Sequence, residues 1–108
     1  MDTCTFCRIR RGEIPTDFIC ETDKVLAFGD IHPVADVHIL VVPKDHIPRF
    51  LDVEGNGLIS EMVSVAQNLI KDKGIGGAYK ILFNGGRYQD VPHLHMHVLG
   101  GKILESEV

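Results

Sequence analysis

The stretch HLHMHVL, from His93 to Leu99, carries an imidazole at every second residue and holds three of the chain's six histidines. Successive side chains of a β-strand point to opposite faces of a sheet. A strand here would line a surface or cleft with His93, His95 and His97 and turn the apolar residues between them to the core. Three imidazoles in strict alternation, beside a glycine-rich loop, indicate a chemical role rather than a polar strand face formed by coincidence.

Two kinds of chemistry suit this histidine run. Imidazole is the commonest metal-ligand side chain, so the three histidines could bind one metal ion. Imidazole is also a nucleophile at phosphorus, and a neighbouring histidine can move the proton that the reaction requires. The residue types and their spacing leave both chemistries open.

A second motif, C-x-x-C, is formed by Cys4 and Cys7, and its spacing suits a metal site that has two further ligands. The alternative is a pair of reduced, partly buried thiols that binds no metal. A redox role is less expected because no thioredoxin-like βαβ pattern surrounds the motif. With Cys20 the chain has three cysteines, an odd number that does not indicate a disulfide framework.

Length and composition narrow the class of protein. A chain of 108 residues fits one domain, and 44% hydrophobic with 24% charged residues favours a compact core over disorder. A net charge of −4 argues against a nucleic-acid polymer as partner, though not against a single nucleotide. Neither a membrane-spanning apolar run nor a signal-peptide pattern is present in the sequence, so we expect a cytoplasmic protein that does not enter a membrane.

Hydrophobic periodicity predicts an α+β fold, a mainly antiparallel five-stranded sheet with one long helix and a short N-terminal helix. The short helix lies in TFCRIRRGEI, with Thr3 as N-cap and Gly12 as stop. The long helix runs from Gly57 to Lys73, with Asn56 capping its start and Gly74 closing its end. The predicted strands are DFICET, KVLAFGD, VHILVVP, AYKILFN and HLHMHVL.

The histidine run also carries a family resemblance. HLHMHVL matches the pattern His-φ-His-φ-His-φ-φ, where φ is apolar, and resembles the signature of the histidine triad (HIT) superfamily of nucleotide hydrolases and transferases. Further blocks resemble the histidine triad nucleotide-binding proteins and occur in that branch's order: FCRIRRGEIP, VLAFGDIHP, HILVVPKDHI, ILFNGG and QDVPHLHMHVLGG. The resemblance covers nearly the whole chain and implies a HIT-like fold, with residues 1–108 as a single domain.

The resemblance implies a role for each catalytic candidate. His95 would attack the α-phosphorus of a nucleotide and form a nucleotidyl-histidine intermediate that water then cleaves, while a backbone carbonyl near His93 fixes its other ring nitrogen. His97 would contact the phosphate and help proton transfer to the leaving group. His38 would support this network, or else be a structural strand histidine. Asn84 would reach the phosphate or leaving group, or else be a turn residue.

The same resemblance places a nucleoside beside the triad. Asp30 would accept hydrogen bonds from the ribose hydroxyls. Apolar walls around the base are expected at Phe6, Ile9, Ile14, Leu26 and Phe28, although ordinary core packing would also explain each of them. The nucleotide-binding set further includes Ile31, Gln89 and Asp90 together with Asn84, His95 and His97. The family tolerates several purines, so the base is left open.

Asp90 departs from the family pattern. It stands where eukaryotic members carry a serine that donates a hydrogen bond to the leaving nitrogen. An ionised carboxylate cannot donate. Asp90 could instead receive a proton or favour a cationic amine leaving group, so the substrate is left open.

The resemblance also implies a closed, structural zinc site of two cysteines and two histidines. Its ligands would be Cys4, Cys7, His46 in PKDHI, and the first triad histidine, His93. Catalysis would require no cofactor.

These interpretations favour a hydrolase that cleaves a nucleoside 5'-phosphoramidate or a related nucleotidyl substrate at the α-phosphorus. Three alternatives remain: a nucleotide-binding regulatory module with little turnover, a zinc-stabilised structural domain, and a dinucleoside polyphosphate hydrolase. The expected partners are a purine nucleotide or nucleoside phosphoramidate and a second copy of the chain.

A homodimer is expected because the long helix is apolar along two adjacent lines, whereas one sheet covers about 100° of a helix. A domain of this size also buries only roughly 60–70% of its unfolded-chain surface. The strand AYKILFN would complete a two-fold contact, and the resemblance implies the same interface. The alternative is a monomer whose wide stripe is covered by the loop HIPRFLDVEG. The two lines are Leu58, Met62, Val65 and Leu69, and Ile59, Val63, Ala66 and Ile70.

Overall fold

The computed structural model describes residues 3–104, and the strands among them form one antiparallel sheet. The helices and strands are α1 (Thr5–Arg10), β1 (Phe18–Glu21), β2 (Val25–Gly29), β3 (Ala35–Pro43), α2 (Leu58–Asp72), β4 (Tyr79–Phe83) and β5 (Met96–Ile103), with short 3₁₀ helices at Phe50–Asp52 and Gly86–Tyr88. The strands pair in the order β1-β2-β3-β5-β4. The predicted α+β fold, with one long helix and a short N-terminal helix, is confirmed.

Helix α2 covers one face of the sheet because its apolar residues recur at helical spacing. It starts after Gly57, whose φ of 84° suits a residue without a Cβ, so the N-cap position falls one residue later than predicted. Asn56 still contributes, since its Oδ1 accepts a hydrogen bond from the Leu58 N–H at 3.2 Å. Gly74, with a φ of 67°, closes the helix as predicted. The core on this face includes Val25, Ala27, Ile39, Val41, Met62, Val65, Leu69, Leu94, Met96 and Val98.

Helix α1 lies on the opposite face of the sheet, where Phe6 and Ile9 are buried. Its N-cap is Cys4, which makes no side-chain cap hydrogen bond, so the prediction of Thr3 as N-cap is wrong. Gly12 follows the helix with a φ of 79°, in agreement with its predicted role as a stop. The core on this face consists of Cys4, Phe6, Cys7, Ile9, Leu26, Phe28, Leu40 and Val42.

The last strand differs from its predicted bounds, because β5 begins at Met96 rather than at His93. The preceding backbone bonds to loops instead of strands: His93 N–H donates to Val91 O at 2.8 Å and Leu94 N–H to Ile47 O at 2.6 Å. The strand then continues past the predicted end at Leu99. Glycine is required at position 100, since a Cβ there would lie 2.2 Å from the Ile75 Cδ1.

Neither helix of the described residues combines the length and the apolar character that crossing a membrane requires. Residues 105–108, the end of the predicted polar tail, lie outside the described residues.

Candidate active site and metal centre

Four histidines meet on the α1 face of the sheet. His38 lies on β3 two residues before Leu40, and Leu40 pairs in register with His97 on β5, so the three side chains share this face. His93 and His95 approach it from the extended segment before β5. All four imidazoles are buried, with relative exposures between 1% and 7%.

Backbone contacts fix which nitrogen of His38 and His97 carries the proton. The Val34 N–H donates to His38 Nδ1 at 3.1 Å, so the neutral His38 ring must hold its proton on Nε2. That Nε2 lies 2.9 Å from His97 Nδ1, which therefore accepts. His97 is left with its proton on Nε2, and this N–H is the group it offers to a ligand.

His95 has the opposite arrangement. Its Nδ1 lies 2.8 Å from the His93 carbonyl oxygen, which can only accept, so Nδ1 carries the proton. The lone pair is therefore on Nε2, and the ring packs edge-on against Phe6 with centroids 5.1 Å apart. A carboxylate oxygen of Asp90 lies 3.5 Å from the same Nε2. His95 thus offers a nucleophile where His97 offers a donor.

Burial keeps two of these rings neutral near pH 7. It lowers the pKa of His97 from 6.5 to about 4, with neighbouring His95 and His38 adding to the effect and Asp30 and Asp90 opposing it. Burial also lowers the pKa of His38, although the Asp30 carboxylate favours its charged form. Neutral rings have one donor and one acceptor nitrogen each, as the hydrogen bonds require.

Two further polar side chains border the histidines. Asn84, just after β4, places its Nδ2 3.5 Å from His97 Nε2. Both atoms are donors with this tautomer, so they do not bond each other, and one acceptor atom could receive both. Asp30 places Oδ2 3.3 Å from His38 Nε2 and accepts the His32 N–H on Oδ1 at 2.9 Å. Each Asp30 oxygen keeps lone-pair capacity for a ligand hydroxyl.

A cleft of about 580 Å³ opens in front of His95 and His97. Its walls come from α1, from the segment that joins α1 to β1, and from the end of β2. The lining combines apolar side chains, including Phe6, Ile9 and Phe28, with the polar side chains of Asp30, His95 and His97. The lining consists of Thr5, Phe6, Ile9, Ile14, Pro15, Thr16, Asp17, Phe28, Gly29, Asp30, Ile31, His32, Leu40, Asp90, Val91, His95 and His97.

Beside this cleft, four side chains converge at the start of α1. The Nδ1 of His93 lies 3.3 Å from Cys4 Sγ, 3.5 Å from Cys7 Sγ and 3.3 Å from His46 Nδ1. Cys7 Sγ lies 3.4 Å from the same His46 nitrogen. His93 Nε2 is 2.8 Å from the Pro43 carbonyl oxygen and must donate to it, which leaves the Nδ1 lone pair directed at the cluster.

The cluster fits zinc. Tetrahedral zinc with Zn–S bonds of about 2.3 Å and Zn–N bonds of about 2.0 Å separates its ligand atoms by about 3.3–3.8 Å. The four donor atoms lie within 4.8 Å of one another, and two cysteines with two histidines are one of the usual ligand sets of structural zinc. The bond from His93 to the Pro43 carbonyl supplies the outer hydrogen bond that metal-bound histidines usually make.

Residues 11–103 match the family model of the HIT domain. The chain belongs to the HIT family. It is 40% identical over 104 residues to the purine nucleoside phosphoramidase of Escherichia coli (strain K12), an alignment that covers 92% of this chain and 87% of that protein. A HIT family hydrolase from Legionella pneumophila Philadelphia 1 is 36% identical, with a TM-score of 0.88 and coverage of 96% of this chain and 97% of that one. A zinc-bound histidine triad family protein from Mycobacterium smegmatis is 29% identical, with a TM-score of 0.82 and coverage of 98% and 80%.

The resemblance to the HIT superfamily is therefore confirmed, and most residues predicted for the site lie together. The four metal-ligand candidates form one cluster. Asn84 borders His97 from a neighbouring groove rather than from the cleft. The predicted nucleotide-binding residues found in the cleft lining are Phe6, Ile9, Ile14, Phe28, Asp30, Ile31, Asp90, His95 and His97.

Three of the predicted nucleotide-binding residues do not line this cleft: Asn84, which lies in the neighbouring groove, Leu26 and Gln89. Leu26 is 1% exposed and belongs to the core on the α1 face, where residues of α1 and of the neighbouring strands bury it. Gln89 donates its amide to the Pro48 oxygen at 2.7 Å and to the Val91 oxygen at 2.9 Å. It therefore fixes the loop before the triad.

Several lining residues were not predicted. Leu40 could have been found from the alternation with His38, but its place beside the cleft depends on its pairing with Phe28, which no local pattern gives. Asp17 and His32 lie in connecting segments and are exposed, and nothing in their sequence context marks them as part of a site.

Proposed function

We propose that the protein is a hydrolase that cleaves nucleoside 5'-phosphoramidates at the α-phosphorus through a nucleotidyl intermediate on His95. The observation that carries the proposal is the bond from His95 Nδ1 to the His93 carbonyl at 2.8 Å. It holds the ring in the tautomer whose Nε2 lone pair is directed to the cleft. The name of the E. coli relative, a purine nucleoside phosphoramidase, supports the same substrate class.

The base of the nucleoside would lie against the apolar side chains of the cleft. The rings of Phe6 and Phe28 and the side chains of Ile9 and Ile14 offer surfaces on which a flat base can lie. Asp30 would receive the two ribose hydroxyls on its remaining lone pairs. This arrangement brings the 5'-phosphoryl group to the histidines.

The first step would form a bond between His95 Nε2 and phosphorus and break the bond between phosphorus and the leaving nitrogen. The nitrogen takes up a proton and departs as an amine, with solvent at the open mouth as the proton source. The His97 Nε2–H and the Asn84 amide would donate to phosphoryl oxygens as charge develops on them. His38 is a positioning residue, because its Nε2–H holds His97 in the donating tautomer.

The second step would return the histidine to its starting state. Water attacks phosphorus, the bond to His95 Nε2 breaks, and the nucleoside monophosphate leaves with one proton released to solvent. The water needs a route to phosphorus, and the open mouth of the cleft beside Asp90 provides one, since that side chain is 83% exposed.

Rapid mixing with adenosine 5'-phosphoramidate tests this proposal. Acid-quenched protein should carry one nucleotidyl group on His95, detected by mass spectrometry of peptides, and the His95→Ala variant should show neither adduct nor turnover. His32→Ala, which removes an exposed imidazole from the same cleft, is the matched control and should keep the adduct. Near wild-type turnover by His95→Ala would exclude the mechanism, and binding without turnover by the wild-type protein would indicate a regulatory module instead.

We also propose that the cluster of Cys4, Cys7, His46 and His93 holds one structural zinc ion. The donor set and its spacing support this, as does the zinc-bound relative from M. smegmatis. When bound, zinc would tie the start of α1 to the segment before β5. It would thereby hold the His93 carbonyl that orients His95, and the reaction itself would need no metal.

We also propose a homodimer whose contact combines edge strand β4 with Val63, the exposed residue of the α2 stripe. Six apolar residues of α2 are buried within the chain, and Ile47 and Val53 of the loop before it pack against the same core. Exposed apolar side chains remain at Val63 (41%), Tyr79 (52%) and Ile81 (44%), the last two on edge strand β4. An uncovered apolar edge strand supports pairing with a second copy.

A further inference from the structure

The cleft has an unusual charge for a site that would hold a phosphoryl group. Among the described residues that line it, three are carboxylates, Asp17, Asp30 and Asp90, and none is a lysine or arginine. The groups available to phosphoryl oxygens are neutral N–H donors on His97 and Asn84. Each additional negative charge on a ligand therefore meets repulsion that no lysine or arginine of this lining offsets.

Asp90 is the carboxylate closest to the chemistry. Its Oδ1 lies 3.5 Å from His95 Nε2, and its side chain is 83% exposed at the mouth of the cleft. Within the described part of the chain, the His95 imidazole is the one basic side chain in ion-pair range of this carboxylate. Asp90 is thus an unneutralised negative charge beside the nucleophilic nitrogen.

The other two carboxylates are placed differently. Asp30 is 19% exposed, and its two oxygens face the His32 N–H and the His38 ring. Asp17 lies on the segment between α1 and β1 and makes no ion pair with a triad histidine in the range that the structure describes. Asp90 alone combines exposure at the mouth with contact to His95.

We infer that Asp90 selects the leaving group by charge, so that the site prefers phosphoramidates whose departing amine carries a further ammonium group. This inference rests on the proposed function. Reacting atoms approach to about 3–3.5 Å, so phosphorus would lie within roughly 7 Å of the Asp90 oxygen. A substituent of the leaving group that extends from phosphorus towards solvent then lies close to Asp90, within the screening length of about 8–10 Å at physiological salt.

The Asp90 charge would attract cationic leaving groups and repel anionic ones. An ammonium two or three carbons beyond the leaving nitrogen can donate a charge-assisted hydrogen bond to the Asp90 carboxylate. A carboxylate or further phosphate at the same position is repelled, so a polyphosphate leaving group is a poor substrate. For an exposed site we expect a span in kcat/KM on the order of tenfold between cationic and anionic leaving groups of equal length.

Three adenosine 5'-phosphoramidates of matched size test this inference: those of 1,3-diaminopropane, propylamine and β-alanine. The wild-type protein should hydrolyse them in the order cationic, neutral, anionic, and the tenfold span should shrink as salt is raised. Asp90→Asn keeps the shape of the side chain and should bring the three kcat/KM values within about twofold of one another. Asp90→Lys should reverse the order. Asp17→Asn removes one charge from the same cleft and should preserve the order.

The inference and the proposed function fail in different ways. Equal hydrolysis of the three compounds by the wild-type protein, or an order that survives Asp90→Asn, would overturn the charge selection while leaving the hydrolase intact. An absence of hydrolysis would overturn the proposed function. In that case calorimetry measures the affinities of the same three compounds for the His95→Ala variant, with and without Asp90→Asn, and the order of these affinities tests the charge selection. Equal affinities there would overturn the inference as well.

Discussion

The imidazole of His38 donates its Nε2 proton to Nδ1 of His97 across 2.9 Å, and the Val34 N–H on the far side of His38 permits no other direction. The protonation of His97 is therefore set by a backbone group two contacts away. This relationship explains why a strand histidine outside the triad belongs to the proposed site.

Replacing His38 tests that relationship. His38→Leu removes the donor, so His97 can hold its proton on either nitrogen, and we expect kcat to fall on the order of 10–100-fold with a smaller change in KM. His38→Gln places an amide donor near the original Nε2 and should retain more of the activity. Steady-state kinetics of the two variants with adenosine 5'-phosphoramidate distinguish the outcomes. Equal kcat in His38→Leu and the wild-type protein would contradict the positioning role.

Stability should fall in mild acid because of His97. Its pKa is about 4 in the folded chain against an ordinary value of 6.5, so both states are neutral above pH 6.5. Between pH 6.5 and 4 the His97 imidazole binds a proton in the unfolded chain but stays neutral in the folded chain. The free energy of unfolding therefore decreases as pH falls, by up to about 1.4 kcal/mol per pH unit for this group.

Urea denaturation at a series of pH values measures this slope. His97→Asn keeps an acceptor for His38 and removes the titrating group, so its slope should be smaller between pH 4 and 6.5 in the same metal state. Some slope should remain, since burial also lowers the pKa of His38. A slope unchanged by the substitution would assign the acid sensitivity to other groups.

Metal content provides an independent prediction. Protein purified without added metal should contain close to one zinc per chain by elemental analysis, and chelation should lower the free energy of unfolding, because the free energy of zinc binding contributes to folding. Cys7→Ser should abolish the zinc. Cys20→Ser is the matched control, because Cys20 is half-buried on β1 outside the cluster, and it should leave the zinc in place. Zinc near zero in the wild-type protein would exclude the site.

Local signals predicted the elements, the alternating histidines and the C-x-x-C, whereas the roles of His38, His46 and Asp30 were implied by the family resemblance. Alternating imidazoles, a C-x-x-C and a helical apolar repeat each span a few residues. The residues that were misplaced or missed depend on relations between distant segments. Leu26, predicted for the cleft, is buried by α1 and the neighbouring strands. The backbone at His93, predicted to begin the last strand, bonds to loops. The tautomer of His38 likewise depends on the Val34 N–H, which side-chain patterns cannot reveal. The carbonyl of His93 that fixes the His95 tautomer was implied by the family resemblance.

The last prediction concerns a second copy of the chain. Val63 on α2 and Ile81 on β4 are both exposed, and β4 is an edge strand. Val63→Glu should shift the protein from dimer to monomer at micromolar concentration, measured by light scattering across a dilution series, because a charge buried at an apolar contact is costly. Met62, its neighbour in sequence, is 0% exposed, so a charge there would unfold the chain rather than test an interface.

Ile19→Glu is the matched control for this experiment. Ile19 is 41% exposed, the same fraction as Val63, but it lies on β1 at the opposite edge of the sheet. It should leave the dimer intact, which would assign the contact to the α2 and β4 side. A wild-type mass near the 12.0 kDa chain at micromolar concentration would exclude a stable dimer. Dissociation by Ile19→Glu but not by Val63→Glu would move the interface to the β1 edge.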